Sequence, residues 1–421
     1  MDTVSRRAAV LAAYGAGPAE QAELLAYNAN TFDHQSTALP RAFPLPPEPH
    51  LAAWTAYAAE AAQIGVYPAL QQRLVQLQFP VQAGISATPA YQAATRKGVP
   101  VAGRAAAPGL ALRQPDRLQL VLHPSLAGPV PVLIAPDRGD FIALVQALAR
   151  RNEPLPVPES MGACIVGGLT NWDRVATLRR AWEAAAPPGS AAGGWDAEFA
   201  RLIPQKALYQ DRLILLSVGP YSGVPAADLG LDGDTWQRLS GVIRLEHECT
   251  HYFTRRVFGA MHNNLLDELI ADYMGLTAAL GSYCAAWFLH FVGLEGPAYR
   301  EGGRLQNYRG TPPLSAGAFA ILGALVRAAA ATLERWRPPA PTAAGRAQQL
   351  IALTYLTLEE LAAPSGVAQL DQMLRETQLI IHEAHEAHEA DEKIRGVEDT
   401  RSRGDMSCGR AEGGGVLGRI L

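Results

Sequence analysis

Apolar and polar positions alternate with two different periods along this chain. Residues 1–100 are Ala-rich and punctuated by Pro; 52–62 and 70–77 carry helical spacing, and FPLPPEP (43–49) reads as an extended connector. From 118 the period shortens. LQLVLHP and VPVLIAP flank a Gly128-Pro129 turn and predict a hairpin. A helix is expected at 141–151, followed by the breaker NEPLPVPES, a strand at 163–169, a helix at 174–185 and a loop at PPGSAAGG (187–194). In the second half, 211–218 reads as a strand ended by Gly219-Pro220. Asp234, with Gln237 three residues on, is expected to cap a helix running to about Val257, where Gly259 stops it. Asn264 opens a second helix reaching Gly281, and apolar helices follow at about 315–336, 343–363 and 366–393.

This pattern predicts an α+β fold, mostly helical, with a small sheet preceding the helix that ends near Val257. Three regions are expected: 1–158, a mixed helical and strand region without an assigned role; 159–392, which holds the candidate chemistry; and 393–421, a charged, Gly-rich tail expected to be disordered. No repeat of domain size occurs.

Composition narrows the classes. The chain has 421 residues, 48% hydrophobic and 18% charged, which excludes a mostly disordered protein. Lys plus Arg (36) against Asp plus Glu (40) gives a net charge of −4, so no global positive field favours nucleic acid. Four cysteines without a CxxC pair exclude a disulfide scaffold and a zinc ribbon. The N-terminus acquires Glu20 and Glu23 before any long apolar core forms and reads as an amphipathic helix, so a cytoplasmic location is expected. Tyr273–Leu294 carries no charge over a length that meets the criterion for a membrane span. Gly281-Ser282 breaks it and His290 lies within it, so burial in a large core is the expectation.

The chemistry concentrates in RLEHECTHYFTRR, where His247-Glu248-Cys249-Thr250-His251 forms HExxH inside a predicted helix. Residues four apart share a face about 6 Å along the axis. Two imidazoles projecting from there can meet one Zn²⁺ at about 2.0–2.1 Å each. Glu248 lies one step round the helix, out of reach as a third ligand but able to act as general base on a water at the ion. Asn264-Leu-Leu-Asp-Glu268-Leu-Ile-Ala-Asp272 then places Glu268 and Asp272 four apart on the next helix.

HExxH followed by ExxxD on the next helix resembles the gluzincin, or thermolysin-like, metallopeptidases. The DELIAD stretch also resembles the ExxAD element of integral-membrane CaaX-type zinc proteases. The resemblance implies a zincin-like catalytic core, Glu268 as third zinc ligand and Asp272 as the acceptor that orients His247. A ligating imidazole normally gives its other N–H to a carboxylate, and three protein ligands leave the open position a catalytic zinc needs. The resemblance covers about 235–280. The interval from His251 to Glu268 is slightly shorter than in thermolysin-like enzymes and far shorter than in the membrane proteases, so residues 258–263 must turn tightly.

In gluzincins an edge strand before the HExxH helix pairs with substrate, and 213–218 either stands in that position or is an ordinary buried strand. The loop YREGGRLQNYRG (299–310) offers Tyr299, Arg304, Tyr308 and Arg309 as donors to an oxyanion, or is a polar surface loop. His382, His385 and His388 in HEAHEAHEAD read as a charged, solvated helix end. Cys249 reads as a small packed residue, and His123 and His290 as satisfied core histidines. The expected function is hydrolysis of a peptide or amide bond with Zn²⁺ held by His247, His251 and Glu268 and with Glu248 as base. Two alternatives remain: a non-haem iron or other biosynthetic metal enzyme on the same two-His-one-carboxylate set, and a non-catalytic metal-binding scaffold.

Overall fold

The computed structural model describes residues 3–35, 38–101, 109–185, 194–261, 264–339, 342–383 and 386. The expected tail at 393–421, nearly all of PPGSAAGG, and His385 and His388 lie outside the described residues.

The first half contributes α1 (Thr3–Ala13), α2 (Pro18–Tyr27), α3 (Leu51–Ile64), α4 (Val66–Arg73), α5 (Pro89–Lys97), β1 (Gln119–Ser125), β2 (Gly128–Ala135) and α6 (Arg138–Ala149). The second half adds β3 (Ala163–Thr170), α7 (Trp172–Ala185), α8 (Trp195–Leu202), β4 (Gln210–Ser217), α9 (Gly233–Phe258), α10 (Leu265–Leu280) and α11 (Ala285–Val292). It closes with α12 (Ala316–Arg335), α13 (Ala343–Thr354), α14 (Leu358–Ala362) and a helical stretch at 366–383. The fold is mostly helical with one small mixed sheet, as the α+β expectation has it.

The sheet runs β1-β2-β4-β3, with β1–β2 and β3–β4 antiparallel and β2–β4 parallel. Its two faces separate two cores. Val130, Val132, Ile214 and Leu216 point into the larger core with α9, α10, α12 and α13. Leu133, Ala135, Leu213 and Leu215 point into the smaller one with Trp54 of α3, Leu70 of α4 and Phe141 of α6. Alternate residues therefore face opposite layers, and the strand interior is apolar throughout because helices cover both sides.

That burial decides between the two readings of 213–218: it is the buried strand and not the edge strand. Leu213 to Leu216 are buried, and β4 is hydrogen-bonded on both sides, so it is an interior strand. The edge next to it is β3, which has no second strand partner among the described residues. The sheet also spans the division placed at residue 158, because β2 pairs with β4. The N-terminus is tied to the far end of the chain as well. Arg7 and Glu359, both buried, form an ion pair at 3.2 Å, and Asn28 donates to the same carboxylate at 3.1 Å.

Local boundaries differ from expectation where side chains compete for backbone groups. The cap of α9 is Asp232, which accepts from Thr235 N at 2.8 Å, and not Asp234, which lies inside the first turn. The helix expected at 343–363 is two, because Thr357 starts a new one with a reciprocal capping box to Glu360. The helix expected at 70–77 breaks at Leu74, whose ψ of 106° is extended. Tyr273–Leu294 is split by Gly281 in the left-handed region, and Tyr273, Phe288, Phe291 and Leu294 are buried in the larger core. One described helix, α12, is long and apolar enough to cross a membrane by length and composition; half of its most apolar window is buried.

Candidate metal centre

Two helices carry the site, and a glycine sets how closely they approach. On α10, Glu268, Asp272 and Gly275 share a face at spacings of four and three. A Cβ on Gly275 would stand 2.6 Å from Ile243 O of α9, so only glycine permits this contact. Asn264 caps α10, accepting from Asp267 N at 3.2 Å, and Gly259 ends α9 in the left-handed region.

The contact brings three ligating atoms together. His247 Nε2 and His251 Nε2 are 3.1 Å apart, His247 Nε2 is 3.4 Å from Glu268 Oε2, and His251 Nε2 is 3.5 Å from Glu268 Oε1. Bonds of about 2.0–2.1 Å in a tetrahedron imply ligand–ligand edges of roughly 3.3–3.4 Å. These three buried residues are the metal-competent His/Cys/Asp/Glu group among the described residues.

What lies behind the imidazoles decides which nitrogen faces inward. His247 Nδ1 donates to Asp272 Oδ1 at 2.8 Å, and the hydroxyl of Tyr221 donates to the same oxygen. Arg304 pairs with Asp272 Oδ2 and donates to the Tyr221 oxygen at 2.9 Å and to Ser222 Oγ at 3.1 Å. His251 Nδ1 is 3.2 Å from Asp267 Oδ2. With a carboxylate behind each ring, both Nε2 lone pairs and the Glu268 carboxylate face one small space. A cation or protons must lie between them.

In the metal-free protein that role falls to protons. Burial opposes charging His247 and His251, yet the hydrogen bonds and charges of Asp272, Asp267 and Glu268 raise both, His251 well above the ordinary value of 6.5. Burial acts against Glu268 ionising, and the two imidazoles outweigh it, holding its carboxyl well below the usual range. Glu248 behaves in the opposite way. Burial pushes its carboxyl pKa up, only partly offset by the imidazoles, and among the described residues its carboxylate has no hydrogen bond. It is also more exposed than the three grouped residues.

Residues 9–365 match a family described as a family of unknown function, DUF7005. The chain belongs to that family. No curated protein and no solved structure gives a significant match. The matched span contains every residue of the centre and both halves of the sheet, so they belong to one family unit.

The candidate oxyanion donors of the 299–310 loop each have a partner within the protein. Arg304 is committed to Asp272 and Tyr221, and Tyr308 donates to Glu268 Oε2 at 2.8 Å. Tyr299 donates to Gly303 O, and Arg309 donates to Leu314 O and lies over Phe319. The loop thus braces the carboxylates from behind. The two histidines expected in the core are half-buried and face acids: His123 Nε2 is 2.9 Å from Glu246, and His290 Nε2 is 3.4 Å from Asp228. Their apolar sequence neighbours point the other way in the strand or helix. Cys249 is buried and free, as a packed residue is.

Sequence reasoning missed Asp267 and Tyr221. Asp267 was in view as the residue before Glu268, but it reads equally well as a first-turn acid favoured by the helix dipole. Tyr221 lies 26 residues before His247, in GPYSG, with nothing local to link it to the motif.

Proposed function

We propose that this protein is a zinc-dependent hydrolase of amide bonds that takes a peptide as an extended strand along β3. The observation that carries this reading is the convergence of His247 Nε2, His251 Nε2 and Glu268 at spacings of 3.1–3.5 Å, with a hydrogen-bond acceptor or ion partner behind each ring. Three ligands leave a fourth position open. An ion held there would lower the pKa of a water towards about 7 and polarise a substrate carbonyl.

The chain's own groups supply the rest. Glu248, without a hydrogen bond among the described residues and less acidic than an exposed glutamate, is suited to take a proton from a water there and pass it to the leaving amine. Asp272 accepts from His247 Nδ1, and Asp267 lies 3.2 Å from His251 Nδ1, so both rings would turn Nε2 towards a bound ion. Beside this helix, Gly162 lies against Arg244 and Gly167 against Arg255, so β3 runs alongside α9 past Glu248. The open edge of β3 presents backbone N–H and C=O groups that an extended peptide can pair with.

The test is metal content and turnover in two variants. Glu248→Gln is expected to keep one zinc per chain while hydrolysis of a mixed peptide library falls by roughly 10²–10⁴-fold. His251→Ala is expected to lose the zinc. Full turnover by Glu248→Gln would overturn the mechanism. Iron in protein purified without added metal, with consumption of 2-oxoglutarate, would replace hydrolysis by oxygenase chemistry.

A further inference from the structure

Two arginines end α9, and they are used differently. Both sit where the helix dipole favours a cation. Arg256 donates to Ala127 O in the β1–β2 turn. Arg255 is half-buried, yet among the described residues its guanidinium has no hydrogen bond, ion pair or aromatic partner. It lies back against β3. A Cβ built on Gly167 would stand 2.5 Å from Arg255 Nη1 and 3.1 Å from Nη2. Gly167 and Gly168 are both exposed, the strand register shifts between Gly167 and Leu169, and Gly168 has a φ of 86°. Glycine at 167 lets the guanidinium lie directly against the backbone of the edge strand, beside its irregularity.

The position relative to Glu248 gives this placement of Arg255 a meaning. Arg255 is seven residues on, which returns to the same helix face within about 20° and advances about 10 Å along the axis. An extended peptide covers that distance in roughly three residues. Arg244, four residues before Glu248 on the same face, is occupied by Ser217 O, Gly219 O and Pro220 O, so it is not a rival for this role.

We propose that Arg255 is a specificity-determining residue that binds a carboxylate of the substrate beside Gly167 and Gly168 of β3, within about three residues of the scissile bond. This rests on the peptide-hydrolase reading above. A guanidinium without a partner among the described residues can match a carboxylate through two parallel N–H···O bonds, a geometry that lysine does not reproduce. The carboxylate comes either from the chain's C-terminus or from an Asp or Glu side chain.

The experiment measures binding on zinc-loaded Glu248→Gln protein, which holds substrate without turning it over. The probes are fluorescein-labelled hexapeptide mixtures of Ala, Ser and Leu: one with free C-termini, one amidated, and one amidated but carrying a single Asp or Glu. Fluorescence anisotropy is expected to show at least one carboxylate-bearing mixture binding about ten- to a hundred-fold more tightly than the neutral amidated one. Preference for the free C-terminus identifies the first source, and preference for the acidic amidated mixture the second. Adding Arg255→Gln is expected to remove the preference, and Arg255→Lys to restore part of it, with zinc content and melting temperature unchanged. Equal binding of all three mixtures, or a preference that survives Arg255→Gln, would overturn the proposal and leave the hydrolase reading standing. Absence of peptide binding together with absence of zinc would overturn both.

Discussion

His251 Nδ1 stands 3.2 Å from Asp267 Oδ2 with both side chains buried, and among the described residues neither Asp267 oxygen has a well-aligned hydrogen bond. The distance is right for a bond and the angle is not. Asp267 thus stands behind His251 as Asp272 stands behind His247, but without the hydrogen bond that Asp272 makes. Asp267→Ala is expected to weaken zinc binding by about ten- to a hundred-fold while the protein stays folded. Asp267→Asn, which keeps an acceptor, should lose less. Competition against a chromogenic chelator measures both, and unchanged affinity in Asp267→Ala would remove Asp267 from the site.

Arg304 closes the other side of the centre. It is the cation facing Asp272, a carboxylate with no solvent exposure, and it reaches there from a loop more than thirty residues away. Removing one partner of such a buried pair leaves the other charge uncompensated. Arg304→Met is expected to lower unfolding stability by about 3 kcal/mol or more, read from urea denaturation of the metal-free protein. A loss under about 1 kcal/mol would mean that His247 and Tyr221 alone suffice for Asp272.

Protons and metal compete for one space, and the sign of the pH dependence follows. His247 and His251 have folded pKa values raised above 6.5, so their contribution to metal-free stability is complete below that pH. It is lost as pH rises through the folded values. Glu268 is shifted down, so its contribution is present above its ordinary 4.5 and lost as pH falls through the lowered value. Zinc requires neutral imidazoles, so its affinity rises with pH over the interval in which the metal-free cluster weakens. Melting temperatures with zinc and with EDTA are expected to diverge steadily from pH 6 to pH 9. A constant gap would show that no histidine proton leaves on binding.

Gly275 offers a test far from any ligand. Because its added Cβ would meet Ile243 O at 2.6 Å, Gly275→Ala must push α10 away from α9. The expected cost is about 1–3 kcal/mol, the usual range for overpacking, together with weaker zinc binding as Glu268 moves off the histidines. Denaturation and chelator competition on the same sample should move together. Loss of stability with intact zinc affinity would show that the helices adjust without disturbing the centre.

The local sequence determined the helices that carry the candidate metal centre and the order of residues on their faces. A four-residue spacing puts His247 with His251, and Glu268 with Asp272, on single helix faces wherever the chain goes. Gly259, Asn264 and Gly281 mark the helix ends because backbone conformation and capping are decided by immediate neighbours. The strand at 210–217 was also visible, but its place in the sheet was not. A buried apolar run reads the same way at an edge or in the interior, and only pairing with β2 and β3 distinguishes them. Only the tertiary structure placed Tyr221, Arg304 and Tyr308 behind the site, and Arg255 against Gly167. Those contacts join segments tens of residues apart, and their side-chain types are compatible with many other surroundings. Periodicity records which face of an element a residue occupies; what that face meets is decided when the helices and the sheet pack together.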